Sequence, residues 1–173
     1  MIVLRALTTE DKELIKRWPA YQGVFAKMDY ALREGGWLDE FIYQPHTFLF
    51  AAESGDQLVG FSLLALTGDA DAEFRIALHP DWTGKGVGRK ATMCTLEIGF
   101  TLCSMKRIHL IVRKSNPPAM KLYQSMGFAI CGESSHLIQG SMVEFFNMEM
   151  FAKRCRRWTG MGADFALWHF GGT

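Results

Sequence analysis

The stretch Ala72 to Gly88, AEFRIALHPDWTGKGVG, decides how the rest of the chain is interpreted. Residues 72–78 are predicted to form a β-strand that runs into a turn at residues 79–82. The loop that follows has glycine at every second position, which removes Cβ atoms where the backbone turns sharply or approaches a ligand. A helix predicted after the loop directs its unpaired N–H groups and the positive end of its dipole towards it. The stretch therefore predicts an anion site of the kind that binds phosphate.

The spacing of the glycines Gly84, Gly86 and Gly88 excludes two other phosphate loops. A Walker A loop places four residues between its first glycine and a Gly-Lys-Ser/Thr sequence, and the chain has no such pattern. A dinucleotide-binding loop is Gly-x-Gly-x-x-Gly with an acidic residue further on, whereas this loop is Gly-x-Gly-x-Gly and lacks that residue.

Length and composition predict one globular domain. A chain of 173 residues can bury a sizeable core, and 49% hydrophobic with 13% aromatic residues argues against disorder. No apolar run approaches the roughly 18 residues of a membrane span, and early charges are unlike those of a signal peptide. The four cysteines form no CxxC pair and have no histidine partners at zinc spacing. We therefore expect reduced thiols, no metal and a cytoplasmic location.

Periodicity and turn residues predict the remaining elements. We expect strands at residues 2–7, 46–53, 57–66, 72–78, 107–113, 128–133 and 142–150, and helices after Thr8 or Thr9, within 22–43, at 87–103 and after Asn116. A strand, a crossover helix and a further strand make 72–78 and 107–113 parallel neighbours. The fold class is thus α/β, an α+β mixed and mostly antiparallel sheet flanked by helices, with residues 1–152 as a single domain.

A second motif, NPPAMKLYQSMGF, begins at Asn116 and ends at Phe128. With the glycine loop it resembles the GNAT superfamily of acyl-CoA-dependent N-acyltransferases. That family carries Gln/Arg-x-x-Gly-x-Gly/Ala, followed by Asn-x-x-Ala-x-x-Leu-Tyr-x-x-x-Gly-Phe. Every fixed position of the second pattern is filled, whereas Thr83 stands where the first has Gln or Arg. The resemblance spans about residues 72–150.

The resemblance implies a GNAT fold, in which two parallel strands splay apart and the pantetheine arm of acetyl-CoA enters the gap. The backbone of Ile76 and Leu78 would hold the arm and the acetyl carbonyl, and loop N–H groups would hold the pyrophosphate. The expected cofactor-binding residues are Ile76, Leu78, Thr83, Gly84, Lys85, Gly86, Val87, Gly88, Arg89 and Asn116. A net charge of +6 over residues 81–173 suits this anion, although ordinary surface variation would also produce it.

Two side chains are predicted to move protons. Tyr123 is the expected general acid, because a phenol with a pKa of about 10 keeps its proton at neutral pH and can hydrogen-bond to or protonate the departing sulfur, whose thiol has a pKa of about 8.5. A packed helix tyrosine is the alternative. Glu73 stands where the histone-modifying branch of the superfamily has its base, so we expect it to take the amine proton; it could instead face solvent. His136, in a loop predicted at 133–141, could border the acceptor.

The predicted function is an N-acetyltransferase that moves an acetyl group from acetyl-CoA to a primary amine by direct attack in a ternary complex. The alternative is a non-catalytic acyl-CoA-binding sensor or interaction module. We expect a small-molecule or peptide amine acceptor, bound by residues 20–45 and 133–141, and no membrane partner. Residues 153–173 are basic and aromatic. We favour an extension packed on the body or on the mate of a homodimer over nucleic-acid binding.

Overall fold

The computed structural model describes residues 1–152, and its centre is a seven-stranded mixed sheet. The strands are β1 (Ile2–Ala6), β2 (Thr47–Ser54), β3 (Gln57–Gly68), β4 (Asp71–Leu78), β5 (Arg107–Arg113), β6 (Ala129–Ile138) and β7 (Ser141–Phe151). Their order across the sheet is β1-β2-β3-β4-β5-β7-β6. Within this described sheet, β4 and β5 form the one parallel pair, as the crossover rule predicted. The fold class is confirmed.

Helices cover both faces of the sheet. They are α1 (Thr9–Lys16), a 3-10 helix (Gly23–Leu32), α2 (Trp37–Ile42), a 3-10 turn (Pro80–Trp82), α3 (Val87–Glu97) with a π-helical continuation (Ile98–Leu102), and α4 (Pro117–Met126). Thr8 begins α1 through a capping box with Asp11. Asn116 caps α4, which ends at Gly127 with a φ of 105°. These local signals fix the helix ends that border the site.

Two hydrophobic clusters lie on opposite faces of the sheet, because successive strand residues alternate in direction. On one face, Phe74 and Leu110 pack with α3 and α4. On the other face, Phe61 and Leu63 pack with α1, the 3-10 helix and α2, whose Trp37 is buried among them. The glycine loop belongs to the first face, and the segment between α1 and α2 belongs to the second.

Two sequence predictions differ from the structure. The predicted loop at 133–141 is wrong, because β6 continues to Ile138 and turns through Gln139-Gly140, both with positive φ. This edge strand is solvent-exposed on much of both faces, so its sequence shows no hydrophobic alternation. The helix expected within 22–43 is a 3-10 helix up to Leu32, and a short α-helix follows the break at Gly35-Gly36.

Within residues 1–152, none of the helices has the length and apolar character to cross a membrane. The predicted extension at 153–173 lies outside the described residues.

Candidate active site

The parallel strands β4 and β5 separate after three paired positions. They pair at Asp71 with Arg107, Ala72 with Ile108 and Glu73 with His109. Beyond these positions β4 remains paired to β3 as far as Leu78, while β5 remains paired to β7 as far as its end. β4 therefore stays bonded to β3 and β5 stays bonded to β7, while β4 and β5 are no longer bonded to each other. The result is the wedge-shaped gap that the family resemblance implied.

Backbone polar groups of β4 point into this gap. The N–H of His79 donates to the Val59 carbonyl on β3 at 2.9 Å. Because an antiparallel ladder bonds alternate residues, Ile76 and Leu78 direct their own N–H and C=O groups away from β3, towards β5. The Tyr21 hydroxyl donates to the Leu78 carbonyl. That carbonyl thus has a protein partner, and the Ile76 groups and the Leu78 N–H face the gap.

The glycine loop borders the wide end of the gap, beyond Leu78. Gly84 and Gly86 have φ of 73° and 78°, and Gly86 is the N-terminal cap of α3. No atom would lie within 4 Å of a Cβ at either position, so the backbone conformation, not crowding, requires glycine. A Cβ at Gly88 would lie 3.3 Å from Leu78 Cδ1. The Thr83 hydroxyl donates to the Pro80 carbonyl at 2.8 Å and steadies the turn before the loop.

Cationic side chains surround the loop. Lys85 Nζ lies 5.6 Å from the centre of the Trp82 ring. The Arg89 guanidinium donates to Ser125 Oγ at 2.5 Å, which ties α3 to α4. Both cations are on exposed residues and lie next to the first N–H groups of α3. The loop therefore combines backbone donors, a helix dipole and mobile positive charge, which suits a diphosphate.

A cavity of about 530 Å³ occupies the gap and continues onto the second face of the sheet. Six of the predicted site residues line it: Ile76, Leu78, Thr83, Gly88, Asn116 and Tyr123. On the second face the walls include Tyr21, Tyr30 and Trp37. The cavity is thus a passage between the two faces, with the glycine loop at one side and an aromatic pocket at the other.

Tyr123 lines this passage from α4. It is 8% exposed, and its ring makes edge contacts with Phe74 and Phe128 at centroid distances of 6.3 and 5.8 Å. Its hydroxyl makes no hydrogen bond to any residue within 1–152. Burial raises the pKa of Tyr123, so the phenol stays protonated at neutral pH. The side-chain oxygen of Asn116 accepts from the Ala119 N–H at 3.3 Å, as a helix cap does.

Glu73 does not line the cavity. It lies at the closed end of the gap, and its carboxylate accepts a hydrogen bond from Arg75 Nε at 2.8 Å. Arg75 does line the cavity, and its guanidinium carbon lies over Phe41 and Trp37 at 4.8 and 5.7 Å. The residue on the cavity wall is therefore the ion-pair partner of Glu73. The base role of Glu73 stays a prediction.

Both segments expected to bind the acceptor contribute to the cavity wall. Tyr21 and Tyr30 come from residues 20–45, and His136 lines the cavity from β6, with its ring 5.3 Å from that of Phe145. Arg113, at the end of β5, also lines the cavity and was not predicted from the sequence. No local motif marks its position, because only the pairing of distant strands brings it to the cavity.

This fold and this site are those of the GNAT class of proteins. Residues 12–128 match the acetyltransferase (GNAT) family model. The match covers well over half of the chain, and the chain belongs to that family.

Individual relatives match over shorter stretches. The spermidine N(1)-acetyltransferase of Escherichia coli K12 is 37% identical over 65 residues, which are 38% of this chain and 35% of that protein. The mycothiol acetyltransferase of Actinosynnema mirum is 28% identical over 114 residues, 65% of this chain and 36% of that protein. The chain thus spans about a third of the length of these two relatives.

Solved structures share the fold over nearly the full described length. Mutant forms of the spermidine/spermine N-acetyltransferase SpeG from Vibrio cholerae superpose with a TM-score of 0.72 at 24% identity, covering 91% of this chain and 98% of that one. The Vibrio cholerae spermidine N-acetyltransferase in complex with CoA and spermine gives 0.71 at 23% identity, covering 90% and 98%. At this identity the likeness establishes the architecture.

Proposed function

We propose that this protein transfers an acetyl group from acetyl-CoA to a primary amine of a small molecule, by direct attack in a ternary complex. The observation that carries the proposal is the gap between β4 and β5. It exposes backbone polar groups of Ile76 and Leu78, opens onto a glycine loop and passes Tyr123 on its way to a separate aromatic pocket. A thioester arm and an amine could thus enter from opposite faces and meet between the strands.

The chain's own groups fit an acyl-CoA. The N–H groups from Gly84 to Arg89, with Lys85 and Val87 between them, would hold the pyrophosphate at the start of α3. The pantetheine arm carries amides and would pair with the open edge of β4, as an added strand does. The Ile76 and Leu78 N–H groups would lie near the acetyl carbonyl and stabilise negative charge on its oxygen. Asn116 lines the same wall.

Tyr123 is the proposed general acid. In the reaction, the amine nitrogen forms a bond to the thioester carbon, the C–S bond breaks and the departing sulfur needs a proton. Burial raises the pKa of the Tyr123 hydroxyl, which keeps that proton in place until the sulfur becomes basic. A hydroxyl without a partner in residues 1–152 is free to point at the sulfur.

Glu73 remains the proposed base for the amine proton. Its side chain is 19% exposed and is held by Arg75, so proton transfer would require a bridging water or an opening of that ion pair. Arg75 reaches the cavity on the acceptor side. Positioning of the two reactants would supply much of the rate enhancement, as is usual for direct transfer between bound substrates.

The non-catalytic acyl-CoA-binding module is not favoured. Family membership as an acetyltransferase and a protonated Tyr123 in the passage both support an enzyme. The relatives named as spermidine acetyltransferases make a small-molecule amine the first acceptor class to test.

Thiol release from acetyl-CoA in the presence of an amine panel tests the proposal, with calorimetry for coenzyme A binding. We expect micromolar binding and amine-dependent release of free thiol. Binding without release on any amine would favour the sensor module. Absence of binding would refute both interpretations.

A further inference from the structure

A buried arginine on the acceptor side of the cavity has no acidic partner among residues 1–152. Arg113, the last residue of β5, is 7% exposed and lines the cavity. Its guanidinium carbon lies 5.2 Å from the centre of the Tyr30 ring. Within residues 1–152 the guanidinium makes no hydrogen bond or ion pair. A cation with so little exposure is costly without a partner, so an anion bound in the cavity would stabilise it.

A second arginine on the same strand, Arg107, is paired with carboxylates of the protein, as buried or half-buried arginines usually are. Arg107 and Arg113 project on one face of β5, since they are six residues apart. Arg107 donates to Glu149 at 2.7 Å and to Asp71 at 3.0 Å. The strand therefore has one arginine whose charge is balanced by protein carboxylates and another, facing the cavity, whose charge is not.

The position of Arg113 indicates which substrate it meets. Leu110 and Val112 point to the face that carries α3, α4 and the glycine loop, so Arg113 points to the opposite face. Its stacking partner Tyr30 packs against the cluster on that second face. The diphosphate site and Arg113 thus lie on different sides of the sheet. An anion bound at Arg113 would belong to the acceptor and not to coenzyme A.

The other charges on the cavity wall do not neutralise Arg113. Arg75 is paired with Glu73, and Glu40 is an exposed residue of α2 at the rim that makes no ion pair with Arg113. A polyamine would bring further positive charge towards an uncompensated guanidinium, which Coulomb repulsion opposes. An amine that also carries an acidic group would place that group where the guanidinium fork can bind it through two hydrogen bonds.

We infer, on the basis of the proposed function, that Arg113 determines acceptor specificity by binding an oxyanion of the acceptor. The substrate class is then an amine with a carboxylate or a phosphate, and not a polyamine. The Arg113 fork holds the acid group against Tyr30, and the amino group reaches towards the gap between β4 and β5.

Thiol release with matched acceptors tests this inference. The panel contains the standard amino acids, glucosamine 6-phosphate and spermidine, and each active acid is compared with its carboxamide or its unphosphorylated sugar. The wild type should prefer the acid to its neutral counterpart. Arg113→Met keeps the apolar stem on Tyr30 and should raise the KM of the acid about 10- to 100-fold. The neutral counterpart and the KM of acetyl-CoA should change little, and Arg113→Lys should fall between.

Arg17→Met, at an exposed arginine after α1, is the control for a general loss of charge. Melting temperatures separate misfolding from lost recognition. The inference is overturned if the wild type prefers spermidine, or if the ratio of the KM of the acid to the KM of its neutral counterpart is the same in Arg113→Met as in the wild type. Either result leaves the proposed acetyltransferase function standing. If no amine is acetylated, the proposed function fails instead. Anion binding is then read from melting-temperature shifts with the same acids, and shifts equal in wild type and Arg113→Met also overturn the inference.

Discussion

Removing the hydroxyl of Tyr123 should separate catalysis from binding and stability. In Tyr123→Phe the ring keeps its edge contacts with Phe74 and Phe128. The hydroxyl has no hydrogen-bond partner within residues 1–152, so its loss leaves no protein donor or acceptor unpaired. The free energy of unfolding should therefore change by less than about 1 kcal/mol. The pantetheine-binding backbone of β4 is untouched, so the Kd of acetyl-CoA should stay within about 2-fold.

The rate should fall much further. General acid catalysis contributes about 10²- to 10⁴-fold, which corresponds to about 3–5 kcal/mol of barrier. We expect kcat for thiol release to drop within this range while KM for acetyl-CoA is preserved. The loss should be largest for the natural thioester, whose thiol has a pKa of about 8.5, and smaller for an acetyl donor with a more acidic thiol.

Three measurements on one preparation decide the outcome. Single-turnover kinetics give the chemical rate, calorimetry gives the Kd of acetyl-CoA, and thermal unfolding reports the fold. Tyr43→Phe is the matched control, because Tyr43 is 88% exposed and lies outside the cavity. An unchanged chemical rate in Tyr123→Phe would remove Tyr123 from the mechanism. A loss of rate accompanied by an equal loss of acetyl-CoA affinity would make it a binding residue.

Three further substitutions test the proposed base Glu73, the glycine loop and the stability of the protein at low pH. Glu73→Gln should lower kcat at neutral pH, and the loss of kcat relative to the wild type should be smaller at high pH, where free amine is abundant. A pH–rate profile parallel to that of the wild type would exclude Glu73 as the base. Gly86→Ala strains a left-handed position, so it should cost about 1–2 kcal/mol of stability and weaken coenzyme A binding by calorimetry. Gly55→Ala, with a φ of 61° in the β2–β3 turn, should cost similar stability yet leave binding unchanged. Arg5 and Thr8 hold the pKa of Asp11 below 3.8, so its stabilisation is present above that pH and is lost as the pH falls through the folded-state pKa. Asp11→Asn should therefore lose melting temperature at pH 7 and converge with the wild type as the pH falls through the folded-state pKa, and a constant difference would contradict this.

The parts of the fold that follow from local chemistry could be predicted from the sequence. Thr8 and Asn116 offer side-chain oxygens at helix starts, and Gly127 takes the left-handed position at a helix end. These residues fix boundaries without help from distant contacts. The parallel β4–β5 pair followed from the handedness and length of the crossover between the strands.

Features that depend on tertiary contacts could not be predicted. The 3-10 helix is held by Asp29, whose carboxylate accepts from the Tyr21 N–H at 3.1 Å and from Arg33 Nε at 2.8 Å, a set that spans thirteen residues. Arg113 has the same local sequence character as any arginine at the end of a strand. Its burial, and its lack of an ion-pair partner among residues 1–152, are known only once β5, β7 and the 3-10 helix are in place. The segments that form the acceptor pocket could be named from the sequence, whereas this arginine within the pocket could not.

The gap between β4 and β5 is stable because each strand is bonded on its other side. β4 pairs with β3 through Leu78, and β5 pairs with β7 through Arg113, so separation leaves only one row of backbone groups per strand without a ladder partner. The Tyr21 hydroxyl satisfies the Leu78 carbonyl at the wide end. The remaining groups need donors and acceptors at ladder spacing, which the amides of an extended pantetheine arm would provide. The polar groups that make the open edge unfavourable in isolation are thus the same groups that would recognise the acyl donor.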